Sequence, residues 1–279
     1  MQSRIVVTRS LEHELRFICS DDKAYQCLKF IDTRPAMPAT KLTIAEIVVE
    51  AVNGSYSLNG PNISRECDFA DLLDTAHSII RHFLLIEVND GLLLHSASMN
   101  VCGQNILLIG EKSAGKTTLS LSALTKGHKV FGDEHVFINS DCAMTRPRTL
   151  RIKESSIALL PNLEARILKC RSFTNWDGSE LYSFEPSSDA VEWCLEPYKA
   201  DHILHIIPNH GGQSHLKNID KNEIFPIAME QSFLPPENQG HAIACLWKVI
   251  NNAALWQLEV GDLETDMNAL ENLSKSSRR

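Results

Sequence analysis

Aromatic side chains make up only 6% of this 279-residue chain, and nowhere are they interleaved with runs of lysine and arginine. The formal charge is -8 and the pI about 5.8. The basic footprint that neutralises a phosphate backbone is therefore missing, and nucleic acid is not an expected partner. Long apolar runs are missing as well. No stretch approaches the ~20 residues of a membrane-spanning helix, and the opening Met1 to Arg9 has no signal-peptide core, so no membrane partner is expected. Eight cysteines, at positions 19, 27, 67, 102, 142, 170, 194 and 245, form neither a Cys-x-x-Cys pair nor a clustered His/Cys spacing. That spread argues for reduced thiols in a cytoplasmic setting and against a zinc site or disulfide framework. Internal repeats, low-complexity stretches and a clear interdomain linker are also absent.

What is present is an alternation of short apolar runs and turn signals. Residues 1–66 read as a β-rich layer, with strand candidates at Arg4 to Thr8, Glu14 to Cys19, Leu42 to Val52 and Ser55 to Leu58. These are broken by Asp21-Asp22, Pro35, Pro38 and Asn53-Gly54. From Asp68 to Glu87 apolar residues recur at helical spacing, which predicts a long amphipathic packing helix. Leu92 to Met99 and Asn105 to Ile109 read as two strands of a hairpin turning near Cys102-Gly103, and that register sets His95 opposite about Gly110. Further on, Lys129 to Asp133 reads as a short strand, and 161–201 as a loop-rich excursion with a turn at Trp176 to Gly178. Asp201 to Ile207 reads as another strand, followed by the loop that holds His210. The chain closes on helices at His241 to Ala254 and Asp262 to Leu273, flanking a strand at Leu255 to Val260.

The most specific signal is Gly110 to Thr117, reading Gly-Glu-Lys-Ser-Ala-Gly-Lys-Thr. It fits the phosphate-binding pattern G-x-x-x-x-G-K-[ST], follows an apolar strand and opens a helix, Thr117 to Leu124, closed by Gly127. Glycines let such a backbone curl around a phosphate, successive amide hydrogens point inward, and the helix adds its positive end. Gly110, Glu111, Lys112, Ser113, Ala114, Gly115, Lys116, Thr117 and Thr118 are thus the candidate nucleotide contacts. Among them Lys116 would reach the β and γ phosphates and Thr117 would hold Mg²⁺. Asp133 and Glu134, at the carboxyl end of a strand after that helix, are suited to a metal and an incoming hydroxyl. Arg146, Arg148, Arg151 and Lys153 are basic groups available to neutralise transferring charge.

Taken together, His95, the loop Gly110 to Thr117, Gly127-His128 and the pair Asp133-Glu134 resemble the catalytic core of the HPr serine kinase family, firmly over residues 91–139. The resemblance implies an α/β P-loop core of the HPr kinase/phosphoenolpyruvate carboxykinase-like type spanning residues 67–279, with residues 1–66 packed on it as an N-terminal β-rich layer. It further implies ATP with Mg²⁺ and phosphoryl transfer to a serine hydroxyl. In that scheme Asp133 sits near the metal and Glu134 takes the acceptor's proton. His95 helps to organise phosphate and carboxylate, and Glu154 stands for the family's metal-binding glutamate. The family often forms ring-like oligomers, so a homo-oligomer is compatible with it.

Three departures separate this chain from the family pattern. Glu134 replaces an aspartate, Lys112-Ser113 replaces Ser-Gly inside the loop, and the glycine-rich second signature is not found. They argue against the bifunctional regulator of sugar uptake and for a relative with another acceptor: a serine-bearing peptide, protein or small molecule. A non-catalytic ATP-binding regulatory or assembly protein is the alternative.

Overall fold

The computed structural model describes residues 4–9, 13–31, 43–88, 90–145, 149–174, 178–185 and 197–276. Arg146, Arg148, Trp176, Asp177 and Cys194 lie outside them. The molecule is a mixed α/β structure with several sheets.

The N-terminal layer is a five-stranded sheet ordered β1 (Arg4–Arg9), β2 (His13–Cys19), β3 (Thr43–Val52), β4 (Ser55–Gly60) and β5 (Ile63–Cys67), antiparallel except for the β2/β3 pair. Asp21, expected to do no more than break a strand, caps a helix. Its carboxylate accepts from the Ala24 amide at 2.8 Å and starts α1 (Asp22–Leu28). The expected helix at 68–87 is a 3₁₀ turn, Phe69–Asp71, followed by α2 (Leu72–Glu87). The apolar side of α2, including Leu72, Ala76, Ile79 and Ile80, shares one core with Leu15, Phe17, Ile47 and Leu58 of the sheet.

The run Leu92 to Met99, expected as one strand, is two. β6 (Gly91–Leu94) and β7 (Ser96–Val101) belong to different sheets, and the chain changes sheet at His95. A four-stranded antiparallel sheet is ordered β11 (Cys142–Thr145), β10 (Val136–Asn139), β6, β17 (Ser232–Phe233). Leu93 of β6 faces the core under the N-terminal layer, whereas Leu92 and Leu94 face the opposite core. Burial on both faces explains an unbroken apolar run where period-two alternation would otherwise appear. A three-stranded antiparallel sheet, β12 (Leu150–Lys153), β14 (Glu180–Phe184), β13 (Arg171–Thr174), carries the short helices α4 (Glu154–Ile157) and α5 (Glu164–Ile167). The region expected to be loop-rich is thus partly a sheet.

The central sheet has six strands in the order β16 (His215–Asn218), β18 (Ala254–Val260), β15 (His202–Pro208), β8 (Gln104–Ile109), β7, β9 (Lys129–Gly132). The β18/β15 and β15/β8 pairs are parallel, and the outer pairs antiparallel. On one face α3 (Lys116–Thr125) and α8 (Leu263–Ser276) bury Leu119, Ala123, Met267 and Leu270. On the other face lie the four-stranded sheet and the helices α6 (Lys221–Glu230) and α7 (Gln239–Asn252).

Candidate functional site

The carboxyl ends of the parallel strands β8, β15 and β18 meet at one edge of the central sheet, the position where open α/β sheets leave a crevice. Gly110 follows β8 there, buried so closely that a Cβ would stand 2.6 Å from the Ile206 carbonyl oxygen of β15. The chain then turns through exposed Glu111, Lys112 and Ser113 to buried Ala114, whose amide donates to the Glu111 carbonyl at 3.2 Å. Two residues of the turn hold left-handed backbone, Ser113 at φ 71° and Gly115 at φ 103°. Gly115 is the N-cap of α3, and its carbonyl accepts the helix's first hydrogen bond from Leu119 at 2.9 Å.

Lys116, the first helical residue, is 6% exposed, and its ammonium folds back to donate to the carbonyls of Gly110 at 2.7 Å and Glu111 at 3.0 Å. Burial pulls its pKa below the ordinary lysine value, and the neighbouring Asp133 carboxylate opposes that. The Thr117 hydroxyl donates to Asp133 Oδ2, which ties the first turn of α3 to the end of β9. Thr118 follows, half-buried. Asp133 is 9% exposed and His135 2%; between them Glu134, half-buried, adopts φ 81° as the chain passes from the central sheet to β10.

The structure therefore brings together Lys116, Thr117 and Asp133 from two separate segments. The expected hairpin pairs Ser96 with Ile109, and His95 immediately precedes that pair, between β6 and β7. Its ring Nδ1 lies 3.1 Å from Gln231 Oε1, and its backbone amide donates to the Gln231 carbonyl at 2.8 Å. Glu154 opens α4 and is exposed, outside the Thr117–Asp133 contact. His210 is exposed in the loop after β15.

Three further side chains enter the neighbourhood: Arg151 and Lys153, expected as charge-neutralising groups, and His205, which the sequence did not single out. Arg151 meets His77 through Nη2, and its guanidinium lies 5.2 Å from the Phe30 ring. Burial pushes its pKa down to about 10, against the pull of the Asp74 and Asp133 carboxylates. Lys153 Nζ donates to Ser113 Oγ at 2.6 Å. The alternation Arg151-Ile152-Lys153 in a strand was the available signal, since it sets both cations on one face. His205 of β15 pairs with Ile109 of β8. Its Nδ1 is buried without a hydrogen-bond partner, and burial lowers its pKa against the opposing influence of Glu111. Only the β8/β15 pairing reveals it.

Hard oxygen donors suit Mg²⁺, which keeps several waters and takes one or two carboxylates plus phosphate oxygens. The Thr117 hydroxyl and buried Asp133 fit that requirement. Among the described residues no group of three or more His, Cys, Asp or Glu side chains is placed to hold a metal ion by itself.

No family model and no curated protein matches the chain. Among solved structures it is similar to the HPr(Ser) kinase/phosphatase of Coxiella burnetii, with 11% identity over 67% of this chain and 95% of that one, at a TM-score of 0.30. So low a TM-score carries no argument, and the functional reading rests on the site's own geometry.

Proposed function

We propose that this chain is an ATP-dependent phosphotransferase, HPr-kinase-like in its core, that moves the γ-phosphate of ATP to a hydroxyl, with serine on a peptide, protein or small molecule as the leading acceptor. The observation that carries the proposal is the Thr117–Asp133 contact beside the buried Lys116 ammonium, at the start of a helix that follows a left-handed turn. A glycine-rich turn with no function has no need to bury a lysine.

In this reading the loop amides and the amino end of α3 receive the phosphates. Lys116 exchanges its two neutral carbonyl partners for negatively charged β- and γ-phosphate oxygens, so that both donor and acceptor carry charge. Thr117 and Asp133, with Glu154 as a further candidate ligand, hold Mg²⁺, which when bound offsets negative charge on the phosphates. Glu134 accepts the proton of the acceptor hydroxyl as the new oxygen–phosphorus bond forms and the bond to the bridging oxygen of ADP breaks. His95 organises the phosphate and carboxylate groups from the junction of β6 and β7. Phosphoryl transfer asks for this kind of positioning and charge neutralisation more than for covalent help.

Single-turnover transfer from γ-labelled ATP with Mg²⁺ to a pool of serine-containing peptides tests the proposal. Label on serine that is lost in Lys116→Ala and falls by about 10²-fold or more in Glu134→Gln is the expected result. Tight, Lys116-dependent ATP binding with no transfer to any acceptor would replace the kinase with a regulatory nucleotide switch.

A further inference from the structure

Two ammonium groups reach the loop Gly110–Thr117 from different elements. Lys116 does so from the first turn of α3. Lys153 does so from the last residue of β12, on a separate three-stranded sheet, where it donates to Ser113 Oγ at 2.6 Å. The placement follows from strand alternation. Leu150 and Ile152 are buried with Leu121 of α3, which leaves Arg151 and Lys153 on the opposite face of β12. Arg151 lies within the electrostatic influence of Asp133, so one strand carries two cations to the neighbourhood of the loop.

The contact with Ser113 is a poor match for a full charge. A neutral hydroxyl offers the ammonium no opposite charge, whereas a phosphate oxygen adds direct ion-pair attraction to the hydrogen bond. Lys153 is exposed and carries a flexible four-carbon stem, so it can change partners without moving β12. Ser113 lies midway along the loop with φ 71°, so Lys153 rests on the segment between Gly110 and the amino end of α3.

The geometry points to Lys153 as a second phosphate-binding lysine, contributed from outside the loop, which rests on Ser113 and moves to the terminal phosphate of bound ATP. It thereby separates nucleoside triphosphate from diphosphate. This inference rests on the nucleotide-binding reading above and adds to it the residue that recognises the γ-phosphate.

Dissociation constants for ATP and ADP, each with Mg²⁺, test it in the full chain and in Lys153→Met, Lys153→Arg and Ser113→Ala. Lys153→Met is expected to weaken ATP about tenfold while ADP stays within about twofold. Lys153→Arg restores most of the ATP affinity, and Ser113→Ala leaves the preference for ATP intact. Equal weakening of both nucleotides in Lys153→Met, or the same loss in Ser113→Ala, would make Lys153 a brace of the loop and overturn the inference. Unchanged ATP affinity in Lys153→Met would overturn it alone. A wild-type chain that binds neither nucleotide would overturn this inference and the kinase reading together.

Discussion

At Ser113 and Glu134 the chain holds left-handed backbone without glycine. An L-residue there carries a cost of about 1–2 kcal/mol, and such residues collect where surrounding structure fixes a functional geometry. Both positions are departures from the family pattern already legible in the sequence, and the Ser113 backbone is the kind for which glycine is the usual solution. Ser113→Gly and Ser113→Ala both remove the hydroxyl that meets Lys153, but only glycine relieves the backbone. Glycine's extra freedom in the unfolded chain takes back about 0.4–1 kcal/mol. The glycine variant is therefore expected to melt about 2 °C above the alanine variant by calorimetry. Equal melting temperatures would mean that the loop relaxes around serine at no cost.

Between elements, the close approaches matter more than any one side chain. A Cβ at Gly110 would stand 2.6 Å from the Ile206 carbonyl oxygen, and one at Gly91 would stand 2.1 Å from that of Ile138. Both are backbone contacts that cannot swing aside, yet they lie in different places. Gly110 joins the loop that ends at Thr117 to the β8/β15 pair, while Gly91 sits where β6 pairs with β10. Gly110→Ala is expected to lose about 2–4 kcal/mol of stability together with nucleotide binding. Gly91→Ala loses a comparable amount of stability but binds nucleotide normally at a temperature where it is folded. Denaturant melts paired with nucleotide titrations separate the two. The same close fit between elements explains the split at His95. The run from Leu92 to Met99 reads as one strand because every residue but half-buried His95 is buried, and only the positions of the two sheets decide where it breaks.

Across the whole molecule, the N-terminal sheet and α2 share a core, with Leu93 and Phe137 contributing from the four-stranded sheet. A fragment of residues 67–279 would expose Leu72, Ala76, Ile79 and Ile80 of α2 to water. It is expected to aggregate or to bind a hydrophobic dye strongly, whereas a monodisperse, cooperatively melting fragment would contradict this. Stability should also vary with pH through Asp266 of α8, which is fully buried with neither oxygen in a well-formed hydrogen bond. Burial raises its carboxyl pKa above the ordinary 3.8, and the nearby Ser214 side chain and Gly261 backbone offset only part of that. The folded state therefore holds this proton more tightly than the unfolded one. Its contribution is fully present below pH ~3.8 and is lost as pH rises through the folded pKa. Asp266→Asn is expected to melt higher than wild type at pH 8 and to show no such advantage at pH 4.

The sequence by itself determined the local features of this protein. These are the strand–loop–helix around Gly110 to Thr117, the hairpin whose register pairs Ser96 with Ile109, and the acidic pair after the next strand. Each depends on neighbours only a few residues apart, where turn chemistry and hydrophobic period suffice. Asp21 shows the limit even there, because an aspartate after a strand signals a break and a helix cap equally well until the following residues pack. Tertiary structure alone decided the rest. It brought Asp133 onto Thr117, carried Arg151 and Lys153 to the site on a sheet hidden in a region that reads as loop, and set His205 beside Ile109. These contacts join segments 16 to 96 residues apart. The free energy that fixes them is burial of shared apolar surface, which no short window of sequence contains.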